Sequence, residues 1–139
     1  MSLQDTEIQP GCYAWFDVKK LLADKRVEHK AKTKFRDGPF ICVQAKDTRS
    51  VWVELTRQDG AYGREWLKDE WRLEGDPQWL DGKSYFNSLN ETFIGPNAAF
   101  VDAAASEPAY TPYTRPQLSV EGVEFALKRL KFNGAPLLE

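Results

Sequence analysis

The sequence predicts a mainly β domain with helical additions: a small barrel of SH3-like size with a long first loop, a middle extension and a C-terminal helix. Three observations carry that prediction. Apolar and polar residues alternate over short runs near the N-terminus, and strong turn signals separate those runs. An amphipathic helical pattern with clear start and stop signals closes the chain. With 139 residues, 42% of them hydrophobic, there is material for one domain and one core. Residues 1–139 are read as that single domain, with a barrel core over 10–95, a Pro-rich connection over 107–117 and a helix over 119–132.

The first strand is 11–18 (GCYAWFDV), entered through the Pro10-Gly11 turn. Cys12, Ala14, Phe16 and Val18 fall on one face; Tyr13, Trp15 and Asp17 fall on the other. The second, 39–45 (PFICVQA), follows the breaker Asp37-Gly38-Pro39. In the third, 50–57 (SVWVELTR), Val51, Val53 and Leu55 face a core, while Trp52, Glu54 and Thr56 share the opposite face. A basic connection of about twenty residues separates the first two strands, and structureless loops of that length are usually functional. Residues 63–73 fit a strand or a short helix, 75–83 is turn-rich, and 85–94 returns as a strand. Asn97 is placed to cap a short helical run after Gly95-Pro96. The stretch 107–116 carries Pro108, Pro112 and Pro116 and reads as an extended linker across the surface. Ser119 is the expected cap of a last helix through Phe132, with Val123, Leu127 and Leu130 as its apolar stripe. Lys128, Arg129 and Lys131 suit its C-terminal dipole, and Gly134 ends it.

The formal net charge of −2 hides a segregation. From Lys19 to Arg36 there are eight cations and two acids, a balance of +6; from Glu54 to Asp81 there are eight acids and four cations, a balance of −4. The basic segment suits phosphates or is a solvated loop, and the acidic stretch could fold back on it. The five Trp exceed what one small core needs, so some are expected to cover the core and some to offer stacking platforms beside the cationic loop. One His and two Cys are too few for a zinc cluster. Cys12 and Cys42 could form one disulfide, but two buried reduced thiols is the better reading. His29 is either a general base or a surface histidine, and the carboxylates around Asp69-Glu70 and Glu74/Asp76 fix no metal site. Phosphate-loop, dinucleotide, HExxH and GxSxG patterns are absent, and no cofactor is expected. The chain has no apolar run of the ~20 residues a membrane span needs. Its N-terminus is polar and acidic, so a cytoplasmic protein away from the membrane is expected.

Three segments resemble the PemK/MazF-like toxin family: PGCYAWFDV (10–18) its opening strand, GPFICVQAKD (38–47) its Arg-Pro strand and the turn after it, and SVWVELT (50–56) the strand that ends in Thr. The resemblance covers residues 10–57 and implies an SH3-like barrel endoribonuclease. It further implies a metal-independent cut in single-stranded RNA, no cofactor, a homodimer and a small antitoxin-like partner. Thr56 matches the family's catalytic Thr. The family's Arg does not carry over, because Gly38 precedes Pro39; Arg36, or Lys34, is expected to reach the same space. Lys30, Lys32, Lys34, Trp52 and Arg57 are then the expected RNA contacts. A reading of another class is a non-catalytic module that binds protein or nucleic acid through this surface. A third is an accessory or inhibitory protein whose acidic middle imitates nucleic acid. Gly38 favours the module, and Thr56 favours the enzyme.

Overall fold

The run Phe40-Ile41-Cys42-Val43 is apolar without alternation, as a strand buried on both faces requires. A computed structural model, which describes residues 2–30, 36–57, 63–89 and 91–139, places this run at the centre of the fold. In chain order the elements are β1 (Tyr13–Phe16), α1 (Val18–Ala23), β2 (Glu28–His29), β3 (Gly38–Lys46), β4 (Arg49–Thr56) and β5 (Arg64–Trp66). There follow β6 (Arg72–Leu73), α2 (Pro77–Asp81), β7 (Tyr85–Asn87), β8 (Phe93–Pro96), α3 (Asn97–Ala103), β9 (Gln117–Leu118) and α4 (Val120–Phe132). The architecture is mixed α/β: a mainly antiparallel sheet with a C-terminal helix.

In the large sheet β3 lies between β1 and β4. The far edge of β4 is shared: its first half pairs with β8 (Trp52 opposite Phe93) and its end pairs with β7 (Thr56 opposite Tyr85). β2 extends the sheet beyond β8, and β5 extends it beyond β7. β6 and β9 form a separate two-stranded sheet. Between Cys42 and Gln44 the β3–β4 register shifts. Such a bulge turns Val43 and Gln44 to one side. Val43 enters the core there, and Gln44 exchanges hydrogen bonds with the backbone of Leu138, tying down the C-terminus.

The sheet has a core on each face. Phe40, Cys42, Trp52 and Phe93 pack on one side with Phe16, Leu21 and Phe100, under α1 and α3. Ile41, Val43, Val51, Val53 and Phe86 pack on the other with Val123, Ala126 and Leu130 of α4. The expectation for Trp52 is therefore corrected. It is fully buried, edge-on to Phe16 at 4.8 Å, and its indole N–H donates to Ser50 Oγ at 2.9 Å. It offers no face to a base, because at Trp52 this side of β4 is roofed by two helices, and only its end, at Glu54 and Thr56, is left partly open. Burial of so large an apolar side chain contributes about 2–3 kcal/mol.

The last helix is as expected: Ser119 accepts from Gly122 N–H at 3.2 Å, and Gly134 at φ +72° closes the C-terminus. Asn97 does not cap α3. Pro96 holds the cap position, and Asn97 is the first helical residue, its buried side-chain oxygen without a partner among the described residues. The basic connection is shorter than expected, since α1 and β2 occupy part of it, and the turn-rich 75–83 contains α2. No helix among the described residues is long and apolar enough to cross a membrane.

Gly11 joins the two ends of the chain. Its carbonyl accepts from Leu118 N–H at 2.8 Å, its φ is +98°, and a Cβ there would sit 2.3 Å from the Leu118 oxygen. Gly11→Ala should therefore lower stability by about 2–4 kcal/mol in urea denaturation. A loss below about 0.5 kcal/mol would contradict this close approach.

Candidate functional site

Pro39 brings no N–H to the sheet. Cys42 N–H donates to Cys12 O on β1, so by alternation the even positions of this part of β3 face β1, and position 39 faces β4. The donor that Leu55 would meet is thus missing. β3–β4 pairing ends at Phe40–Glu54, although β3 begins at Gly38 and β4 runs to Thr56. The two strands part there, and a cleft of about 820 Å³ opens between them.

Its floor is the parted strand ends, Gly38 and Pro39 against Glu54, Leu55 and Thr56. One wall is the Pro-rich strap, whose Pro108, Tyr110 and Pro116 line it; α2 supplies Trp79 and β1 supplies Tyr13 and Trp15. The strap is held by Arg115, a nearly buried guanidinium that reaches Glu107 (2.7 Å), Glu7 (3.1 Å) and Tyr13 O (2.9 Å). Burial opposes its charge, yet these carboxylates leave it more firmly protonated than usual. Glu107 also takes the Trp15 backbone N–H at 3.1 Å and the Tyr110 hydroxyl at 2.8 Å, which ties the strap to the first strand.

Four cations line the cleft, Arg36, Arg57, Arg64 and Lys83, against three carboxyls, Asp37, Glu54 and Asp76. Two of those carboxylates are occupied by helix starts: Asp37 accepts from Val18 N–H and Asp76 from Trp79 N–H, each at 2.9 Å. Glu54 is different. Half-buried at the end of the pairing, its pKa is pushed up from the usual carboxylate range to about 7, chiefly by burial. Arg64 opposes that shift and Glu91 adds to it. Near neutrality the cleft therefore carries a positive balance and one carboxyl poised between its two forms.

Of the residues singled out from sequence, Arg36, Thr56 and Arg57 meet at this cleft. Lys30 is exposed after β2 and does not line it. Lys32 and Lys34 lie outside the described residues. His29 stacks near Phe93 at 5.5 Å, away from the lining. Among the described residues the ion pairs of the basic segment and of the acidic middle run to other partners. Arg26 binds Asp24 and Asp102, while Glu65 of the middle binds Arg129. Cys12 and Cys42 are free and buried, and burial pushes the Cys12 thiol up to about 12 and that of Cys42 higher, so neither is a nucleophile at neutral pH. Residues not singled out as site residues complete the cleft: Glu54, Arg64, Lys83 and Trp15. Trp15 is the half-buried indole of the cleft, whereas Trp79 is held by its N–H to Leu73 O and by Tyr13 against its edge. Among the described residues no three His, Cys, Asp or Glu side chains gather as metal ligands would.

No protein-family model, no curated protein and no solved structure matches the chain.

The state of Glu54 is open to a stability measurement. The folded chain holds its proton up to about pH 7, whereas an unfolded chain releases it near the ordinary value of 4.5. The stabilisation is thus fully present below 4.5 and lost as pH rises through 7. For a partly solvated group it amounts to about 1–2 kcal/mol. Urea denaturation of the wild type and of Glu54→Gln from pH 5 to 8 should show the variant gaining on the wild type by about that amount. Parallel profiles would contradict the shift.

Proposed function

We propose that the chain binds single-stranded RNA in this cleft and cuts it, in the manner of a PemK/MazF-like toxin. The observation that carries the reading is that Arg36 and Thr56, twenty positions apart in sequence, line one cleft together with Arg57, Arg64 and Lys83. In this reading the curled antiparallel sheet is an SH3-like barrel with α4 as its added helix. The chain works as a homodimer in the cytoplasm and is controlled by a small antitoxin-like protein.

The chemistry follows from the groups present. RNA carries its own nucleophile, the 2′-hydroxyl beside each phosphate. Attack builds negative charge on the phosphate oxygens, and the exposed Arg36 guanidinium is the group that meets it. Thr56 fixes the phosphate by hydrogen bonding, Arg57 and Lys83 hold neighbouring phosphates, and Trp15 gives a base a surface to stack on. The products are a 2′,3′-cyclic phosphate and a 5′-hydroxyl. The second reading, a non-catalytic RNA-binding module, rests on Gly38 standing where the family has Arg.

One assay separates the two. Single-stranded RNA incubated with the chain in excess EDTA should be cleaved, and Arg36→Ala or Thr56→Ala should reduce cleavage by at least about 100-fold. Affinity should fall steeply with salt, with a shallower slope in Arg57→Ala. Binding without cleavage supports the module. Cleavage undiminished in both alanine variants, or binding indifferent to salt, overturns the proposed site.

A further inference from the structure

We infer that Glu54 is the general base of the cleft, the group that takes the proton from the RNA 2′-hydroxyl; the inference rests on the ribonuclease reading above. Position is the first argument. Glu54 and Thr56 are two residues apart on one strand, so both side chains project from the same face, about 7 Å apart along it. That spacing leaves room for one RNA linkage between them, its phosphate toward Thr56 and the attacking 2′-hydroxyl toward Glu54. Cross-strand register sets the flank: Thr56 faces Tyr85, and Tyr85 faces Trp66. Two residues along β5 and β7, Arg64 faces Asn87 on the same side as Glu54.

Availability is the second argument. Asp37 and Asp76 are committed to the first turns of α1 and α2. Glu54 is instead set by burial and by the through-space charges of Arg64 and Glu91. Tyr13, held up to about 12 chiefly by burial, keeps its proton, and His29 does not line the cleft. The charged groups that act on Glu54 are Arg64 of β5 and Glu91 ahead of β8, of opposite effect; Arg36, Arg57 and Lys83 stand around the same space. A carboxyl balanced near neutrality is both sufficiently ionised and sufficiently basic for the task, and a base so placed contributes about 10²–10⁴ in rate.

The step balances within the substrate and water. As the 2′-oxygen bonds to phosphorus, its proton passes to the Glu54 carboxylate. The bond from phosphorus to the 5′-oxygen breaks, that oxygen takes a proton from water, and Glu54 returns its own proton to solvent. Arg36 carries the charge on the phosphate throughout, and Arg64 keeps the emptied carboxylate from being neutralised too early.

The test uses the full chain, the Glu54→Gln variant, cleavable RNA and the same RNA with a 2′-deoxy sugar at the cut. Glutamine matches glutamate in shape and removes only the charge, so folding is preserved. Expected are 2′-deoxy RNA binding within about threefold of the wild type and cleavage at least about 100-fold slower in Glu54→Gln. The wild-type kcat should show an acidic limb near pH 7 that the variant lacks, and carbon NMR should show a carboxyl titrating there in the wild type alone. A variant that cleaves with the wild-type limb overturns the inference while leaving the ribonuclease intact. A variant that loses binding instead of turnover also overturns it, by making Glu54 a binding group. A wild type that binds the deoxy RNA but cuts nothing removes both the enzyme and its base.

Discussion

One missing hydrogen bond shapes this molecule. Pro39 stands where β3 should give an N–H to β4, and without that donor the ladder ends at Phe40–Glu54. Everything before that point is closed. The two central strands are covered on both faces, with Trp52, Phe40 and Cys42 under α1 and α3 and Ile41, Val43 and Val53 under α4. Everything after it is open, and the parted ends bring Arg36, Glu54 and Thr56 to one cleft. A rigid sheet thereby presents a small set of polar groups at fixed spacing, which is what a site needs from its scaffold.

The strap makes that opening a bounded cleft rather than a frayed edge. Arg115 gathers Glu7, Glu107 and the Tyr13 carbonyl, and Glu107 in turn holds Trp15 and Tyr110. The Glu107 side chain is fully buried and that of Arg115 nearly so. Breaking one partner of such a pair leaves an uncompensated charge and costs about 3–5 kcal/mol, so the strap is fastened at a point where it cannot easily let go. The cleft is thus preorganised on three sides, by strap, α2 and the two strands.

How much of this was legible in the sequence depends on where the deciding contacts lie. β3, β4 and α4 were read nearly to the residue, because breakers, apolar runs and a Ser cap are local signals. α1 was missed because six residues show too little period, although Asp17 and the pair Val18 and Leu21 marked it. α2 was missed although Asp76-Pro77 is a cap followed by a first-turn proline. Trp52 was misjudged because alternation tells which face a residue is on, not what will cover that face. Arg36, Thr56 and Arg57, two of them singled out through the family resemblance, line the cleft. The environment of Glu54 was not legible, since it is made by burial and by Arg64 and Glu91, which the sequence places ten and thirty-seven positions away. The Arg115 clasp was hidden for the same reason: its partner Glu7 is 108 residues distant.

We propose that RNA lies where β3 and β4 part. Backbone and indole NMR spectra of the chain, recorded as a short RNA blocked by a 2′-deoxy sugar is added, test it most directly. Expected are shifts concentrated at Gly38, Thr56, Arg57 and the Trp15 indole, with Trp52 unmoved in its core. Shifts confined to the lysines of α1, or spread along the surface with the parted strands silent, would contradict it.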